Sequence, residues 1–215
     1  MADPSLYTFP SPLLGWEGGE PLSKYVRGLE FDRRSTTAAK YKPSTKVPSK
    51  QTPTGPNAKS FINPTPTKKS SAYTSFASPI TNGTRAGFDA HIYFHQQIPS
   101  ETTFATELWE RIRREFPELR IYKVWDRPIG PHPLAMFEVN IHTPEQFGAF
   151  VPWLVIHRGP LSVLVHPNTG DDVRDHTQRA TWMGESIPLV VGFLREHVRK
   201  QGTQAEGAEE VGVAV

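Results

Sequence analysis

Between Phe88 and Pro167 the hydrophobic positions change rhythm at regular intervals. GFDAHIYFH, residues 87–95, alternates with period two. Phe88, Ala90, Ile92 and Phe94 fall on one face, and Asp89, His91, Tyr93 and His95 on the other. That is the pattern of a half-buried strand. Ile98-Pro99-Ser100 ends it. ETTFATELWERIRREFP then spaces Phe104, Leu108, Ile112 and Phe116 four apart, with Trp109 alongside, which predicts an amphipathic helix stopped by Pro117. RIYKVWDRP, from Arg120, predicts a second strand, IGPHP a turn, and LAMFEVNIH (Leu134 to His142) a third strand. Thr143 is an N-cap, Pro144 suits the first helical position, and Gln146 completes a capping box. FGAFVPWLVIHR supplies a second helix with Pro152 as a candidate kink. Arg158-Gly159-Pro160 stops it, and LSVLVHP is the fourth strand.

The order β-α-β-β-α-β predicts an α+β, ferredoxin-like antiparallel sheet with two helices on one face. The expected spatial order is 4-1-3-2, with strands 1 and 3 parallel to each other and antiparallel to 2 and 4. On that expectation His91, early in strand 1, His132, just before strand 3, and His166, ending strand 4, meet at one edge. Parity agrees. Ala135, Phe137, Val139 and Ile141 form the apolar side of strand 3, leaving Leu134, Met136, Glu138 and Asn140 on the side of His132. Leu161, Val163 and Val165 leave Ser162, Leu164 and His166 on the other side of strand 4. His91, His132 and His166 therefore point to the face the helices leave bare. His95, His142, His157 and His197 fit less well: His142 lies at the far end of strand 3, and His157 and His197 read as helix-end residues.

Composition divides the chain. Hydrophobic residues make up 37% and there are 21 prolines, which places part of the chain outside a packed core. Residues 1–87 carry 12 basic and 5 acidic residues, and residues 88–215 carry 12 and 17. Residues 33–80 are rich in Ser, Thr, Lys and Pro, a composition that buries too little surface to offset its ordering entropy. The expected organisation is an irregular extension over 1–87, in which residues 11–23 could strap onto the domain, a domain over 88–200, and a flexible tail over 201–215. The scattered basic residues argue against nucleic acid as a partner. With no cysteine, any metal must take nitrogen and oxygen ligands. The absence of a bilayer-length apolar run, or of a signal peptide's apolar core, makes a cytoplasmic, membrane-free protein the expectation.

HIYF at 91–94, GPHP at 130–133 and VHPNTGDDVRDHTQRATWMGE at 165–185 resemble the DOPA 4,5-dioxygenase family, the extradiol catechol-cleaving enzymes known from fungi and bacteria. The resemblance spans roughly residues 88–190. It implies a small ferredoxin-like protein that opens the ring of L-DOPA with O₂ and Fe(II), although another divalent ion can replace the iron. It carries the family's histidines onto His91, His132, His166 and His176 without saying which bind metal. The long N-terminal segment departs from the compact bacterial members and looks like a fungal extension.

Neutral imidazoles suit Fe(II), and open positions on the metal admit catechol and O₂. Ring cleavage also needs a base and an acid, roles that His fills near neutral pH. The expected metal ligands are His91, His132 and His166, with two histidines plus Glu138 as the second choice. After the NTGDD turn the chain can bring Asp175 and His176 back as catalytic groups. Arg174, with Tyr93, is expected to contact substrate. The plainer reading of GDDVRDHT is a helix start, with Asp171 and Asp172 as cap and solvated charge. The implied partners are a small catechol and O₂, and a homodimer is left open. Two other classes remain at this point: a non-catalytic ferredoxin-like binding module, and a metal-dependent oxygenase acting on another phenol.

Overall fold

The structure, a computed structural model, describes residues 68–196 and 199. The expected extension up to residue 67, its strap over 11–23, His197 and the tail over 201–215 lie outside the described residues. From Ser70 onward the described residues belong to one compact unit. Its elements include a 3-10 turn (Ser71–Tyr73), β1 (Phe88–Phe94), α1 (Pro99–Glu115), β2 (Arg120–Ile121), β3 (Ala135–Ile141), α2 (Pro144–His157), β4 (Ser162–Pro167), α3 (Asp172–Asp175) and β5 (Thr181–Met183), and residues 191–196 are helical. The strands form one sheet in the order β2-β3-β1-β4-β5.

The α+β, antiparallel sheet is as expected, and the order of its first four strands matches. One orientation is not as expected. β1 and β3 run antiparallel, with Phe88 opposite Ile141 and Phe94 opposite Ala135. The reason lies in the crossovers. α1 returns the chain so that β2 runs in the direction of β1, and α2 returns it so that β4 runs in the direction of β3. β3 follows β2 as a hairpin partner, so it opposes both β2 and β1. The edge argument for His132 therefore fails, because β3 starts at the Phe94 end of β1 while His166 sits at the other end, opposite Asp89. A different device brings His132 into place. The chain between β2 and β3 bridges back at Trp125–Met136 and at Ile129–His132. The Ile129 and His132 backbones exchange two hydrogen bonds of 3.0 Å.

The alternating strands do divide their side chains as parity requires. Ala90, Ile92, Phe137, Val139, Val163 and Val165 pack with Leu108, Ile112, Phe150 and Leu154 of the two helices. Burial of each larger aliphatic or aromatic side chain contributes about 1.5–3 kcal/mol. Thr143 caps α2, its hydroxyl accepting from the Gln146 N–H, while the Gln146 side chain accepts from the His142 N–H. α2 is followed, after its cap Arg158, by Gly159, which has φ +55°. A Cβ there would also lie 2.3 Å from the Phe104 ring, so glycine meets both demands.

The other face is not bare. Tyr93, Met136 and Leu164 are buried there beneath Trp125, Leu134, Trp182, Ile187 and Leu189. Connecting chain supplies this cover, including β5, a three-residue strand the sequence pattern did not announce. Packing also begins ahead of Phe88: the Phe76 ring stands 5.1 Å from that of Phe88 and 6.4 Å from that of Phe147, centroid to centroid. Among the described residues no helix is long and apolar enough to cross a membrane.

Candidate metal centre

β1 and β4 lie side by side, so Asp89 and His91 on one face of β1 adjoin His166 on the same face of β4. The β2–β3 connection adds His132, and the residue capping α3 adds His176. All five side chains are buried and line one cavity of about 430 Å³. Its remaining wall includes Tyr122, Trp125, Pro131, Glu138, Asn140, Leu194 and the ion pair Arg85–Asp172.

The hydrogen bonds assign tautomers. His166 Nδ1 is 2.9 Å from the Pro167 carbonyl, and His176 Nδ1 is 2.8 Å from the Asp172 carbonyl. A carbonyl only accepts, so both Nδ1 atoms carry the proton and both Nε2 atoms offer a lone pair. His132 Nδ1 is 2.7 Å from the Tyr93 hydroxyl. His91 Nε2 is 3.0 Å from His166 Nε2, and His91 Nδ1 is buried with no hydrogen-bond partner. Such an orphaned buried polar atom calls for a partner. Two ligand nitrogens about 2.1 Å from one ion and at right angles would themselves stand about 3 Å apart. The donor set therefore fits a divalent cation.

Burial, reinforced by the neighbouring imidazoles, holds His91 and His166 well below the usual histidine range. Burial and His176 bring His132 down to about 3, and burial lowers His176. All four are thus neutral and ready to ligate. Burial and the nearby Glu138 push Asp89 up to about 7, against the hydrogen bonds from Asn168 and Asn140. Burial also raises Glu138. Burial of this kind disfavours every isolated charge, and a cation is what would let the carboxyls ionise.

Two sets of ligand atoms converge within 4.8 Å: His91, His132 and His176, and Asp89, His91 and His166. His91 belongs to both, so the expected trio of His91, His132 and His166 falls across them. Glu138 lies in neither. Its Oε2 is 4.0 Å from His91 Nδ1, and its Oε1 accepts from Asn140. Tyr93 reaches the site through His132 and stacks on Trp182 at 5.6 Å. Two expected residues sit elsewhere. Arg174 pairs with Asp171 at 3.3 Å and does not line the cavity. The Asp175 carboxylate is fully buried but taken up by the Thr169 N–H and hydroxyl and by Arg179. Asp171 caps α3, as the plainer reading had it. His95 is bound to Glu101 and His157 to Arg111, both away from the cavity.

Sequence reasoning passed over Asp89 and Arg85. Asp89 had a signal, since it shares the face of His91. Arg85 had none, because it precedes the first alternating residue and lies in a stretch read as extension.

Residues 88–193 match the model of the Dopa 4,5-dioxygenase family. An uncharacterized 21.2 kDa protein of Botryotinia fuckeliana is 52% identical over 202 residues, 91% of this chain and 95% of that one. A DOPA 4,5-dioxygenase of Amanita muscaria is 39% identical over 109 residues, 48% of this chain and 47% of that protein's length. A solved structure from Nostoc punctiforme, described as a candidate dioxygenase, is 35% identical with a TM-score of 0.46, covering 60% of this chain and 98% of that one. The matched segment runs from β1 past β5 and carries all four cavity histidines: the chain belongs to the Dopa 4,5-dioxygenase family.

Proposed function

We propose that the chain is an extradiol dioxygenase that opens L-DOPA or a related catechol with O₂ at a non-haem Fe(II) site. The observation that carries this reading is the convergence of four neutral imidazoles on one cavity, with the Asp89 carboxyl among their ligand atoms. Asp89, His91 and His166 are the ligand set we favour. Two histidines and a carboxylate on one side of the ion is the donor set of ferrous oxygenases, and it leaves open positions. When bound, the ion supplies a Lewis-acidic centre where catechol and O₂ can both be held.

The remaining residues then have separate tasks. The lone pair of His176 Nε2 can take a catechol proton, and the Nδ1–H bond to the Asp172 carbonyl keeps that lone pair aimed into the cavity. His132 is held by the Tyr93 hydroxyl, and this pair can return a proton as the ring opens. Trp125, Pro131 and Leu194 line the cavity with apolar surface, which strengthens the polar contacts beside it.

The test is metal analysis of anaerobically purified protein, followed by addition of L-DOPA and air with the yellow ring-fission product as readout. One divalent ion per chain and rapid yellowing are expected. Substitution of Asp89, His91 or His166 should lower metal content by about tenfold or more. His176→Gln should keep the metal and slow turnover by about a hundredfold or more. If His132→Ala and His176→Gln lose the metal while Asp89→Asn keeps it, the three-histidine set is the ligand set.

A further inference from the structure

The cavity has one feature that ring cleavage does not need. Arg85 and Asp172 form an ion pair of 3.0 Å, and both line the cavity that holds the histidines. Arg85 comes from the chain ahead of β1, and Asp172 from the first turn of α3. They meet across 87 positions of sequence.

The backbone around Arg85 is held on several sides. The Arg85 carbonyl accepts from the buried Asn168 side chain at 2.9 Å, and the Thr84 carbonyl accepts from Arg120 at 2.6 Å. Asn168 N–H bonds Gly87, and the Asn168 carbonyl accepts from Thr81 N–H and hydroxyl. Ala86, fully buried, sits at φ +68°. A non-glycine residue in that region is strained and persists only where its surroundings hold it, often beside a functional site. The guanidinium itself stays 59% exposed at the rim. A fixed backbone carrying a solvent-accessible charge into a cavity is suited to meeting a ligand.

The charges around the pair decide which ligand. A lone carboxylate approaching Arg85 would meet Asp172 on the same guanidinium. A lone ammonium approaching Asp172 would meet Arg85. A group with one charge of each sign side by side avoids both penalties, exchanging the internal pair for two external ones.

Building on the catechol reading above, we propose that Arg85 and Asp172 recognise the zwitterionic α-amino acid end of the substrate. Arg85 receives its carboxylate and Asp172 its ammonium. The Asp172 carbonyl accepts from His176, so the same residue links the amino acid end to the ring-facing histidines. Selection among catechols then depends on the charges at the end of the side chain.

Binding measured by calorimetry on the full-length, metal-loaded protein without oxygen tests this independently of turnover. The ligands are L-DOPA, dopamine, which lacks the carboxylate, and 3,4-dihydroxyphenylpropanoate, which lacks the ammonium. The wild type should prefer L-DOPA to both. Arg85→Gln should weaken L-DOPA and the propanoate by about tenfold or more, and not dopamine; Asp172→Asn should weaken L-DOPA and dopamine similarly, and not the propanoate. A misfolded variant would weaken all three ligands alike, and Arg85→Lys, which keeps the charge, should recover part of the L-DOPA affinity. Equal affinity of the wild type for the three compounds, no binding of L-DOPA, or variants that fail to sort by charge would overturn the proposal. If the charge pattern holds but no ring-fission product forms in air, the recognition stands and the dioxygenase reading falls.

Discussion

His91, His132, His166 and His176 are held neutral by burial, and Asp89 and Glu138 are pushed toward their protonated forms by the same cause. These shifts make stability depend on pH with opposing signs. His132 titrates near 3 in the fold, against an ordinary value of 6.5. Between those values the unfolded chain binds the extra proton, so stability falls as pH drops through that window. Asp89 titrates near 7 in the fold, against 3.8. There the folded protein binds the extra proton, so its burial cost is full above pH 7 and is relieved as pH falls toward 4. Four imidazoles oppose two carboxyls, and the metal-free protein should melt at lower temperature at pH 5 than at pH 6.5. A thermal scan that is flat or rises toward acid would show that the carboxyls dominate. Metal binding reads the same groups. At pH 7 part of the Asp89 carboxyl is protonated, so an ion that takes it as ligand should release more proton than one held by histidines alone, which acts on Asp89 only through its charge. Calorimetric titration in two buffers of different ionisation enthalpy measures the difference.

At the scale of elements, the strands and helices with long, strict periods were legible because one face of each meets the same core. Ile92, Phe137 and Val163 announce β1, β3 and β4, and Leu108 and Ile112 announce α1. β5 was not legible. Three residues on a sheet edge carry no period: Thr181–Met183 pairs with β4, and of the three Met183 alone packs against the main core. β2 was read too long because RIYKVW is rich in β-branched and aromatic residues, yet the ladder lasts only for Arg120 and Ile121. His132 was placed at the site for a mistaken reason: its parity was right, but a returning loop, not the strand edge, delivers it. Asp175 shows the reverse case, a charged residue in a chemically suggestive string whose surroundings give it a structural task. Its carboxylate ties Thr169 at the exit of β4 to Arg179 beyond α3. Asp175→Ala would strand the half-buried Thr169 donors and the Arg179 guanidinium and cost about 1–3 kcal/mol. Urea unfolding should show that loss at unchanged slope. A variant as stable as the wild type but slow in turnover would return Asp175 to the chemistry.

For the whole molecule, the question is where the folded domain begins. Composition set the boundary at Phe88, but the described chain is engaged with the sheet before that point. Phe76 packs on Phe88 and Phe147. The Gly87 position leaves no room for a side chain, since a Cβ would lie 2.3 Å from the Phe76 ring. Thr81 bonds Asn168 through both backbone and hydroxyl, and Ala86 is fully buried. A chain starting at Phe88 would expose the Phe88–Phe147 surface, free the Asn168 side chain from Arg85, and remove Arg85 from the cavity. Loss of a well-packed aromatic side chain costs about 3–5 kcal/mol when it is fully buried. Phe76 is only partly buried, so about 2–3 kcal/mol is expected from its removal alone, with the lost hydrogen bonds in addition. Single domains are stable by only about 5–15 kcal/mol, so the shorter chain should be marginal. A chain starting at Ser70 keeps all of these contacts. It should melt cooperatively and load metal, whereas the Phe88 start should melt many degrees lower or fail to fold. Equal stability of the two would mean that residues 70–87 merely lie on the domain. Failure of both would mean that residues before Ser70 are required for the fold.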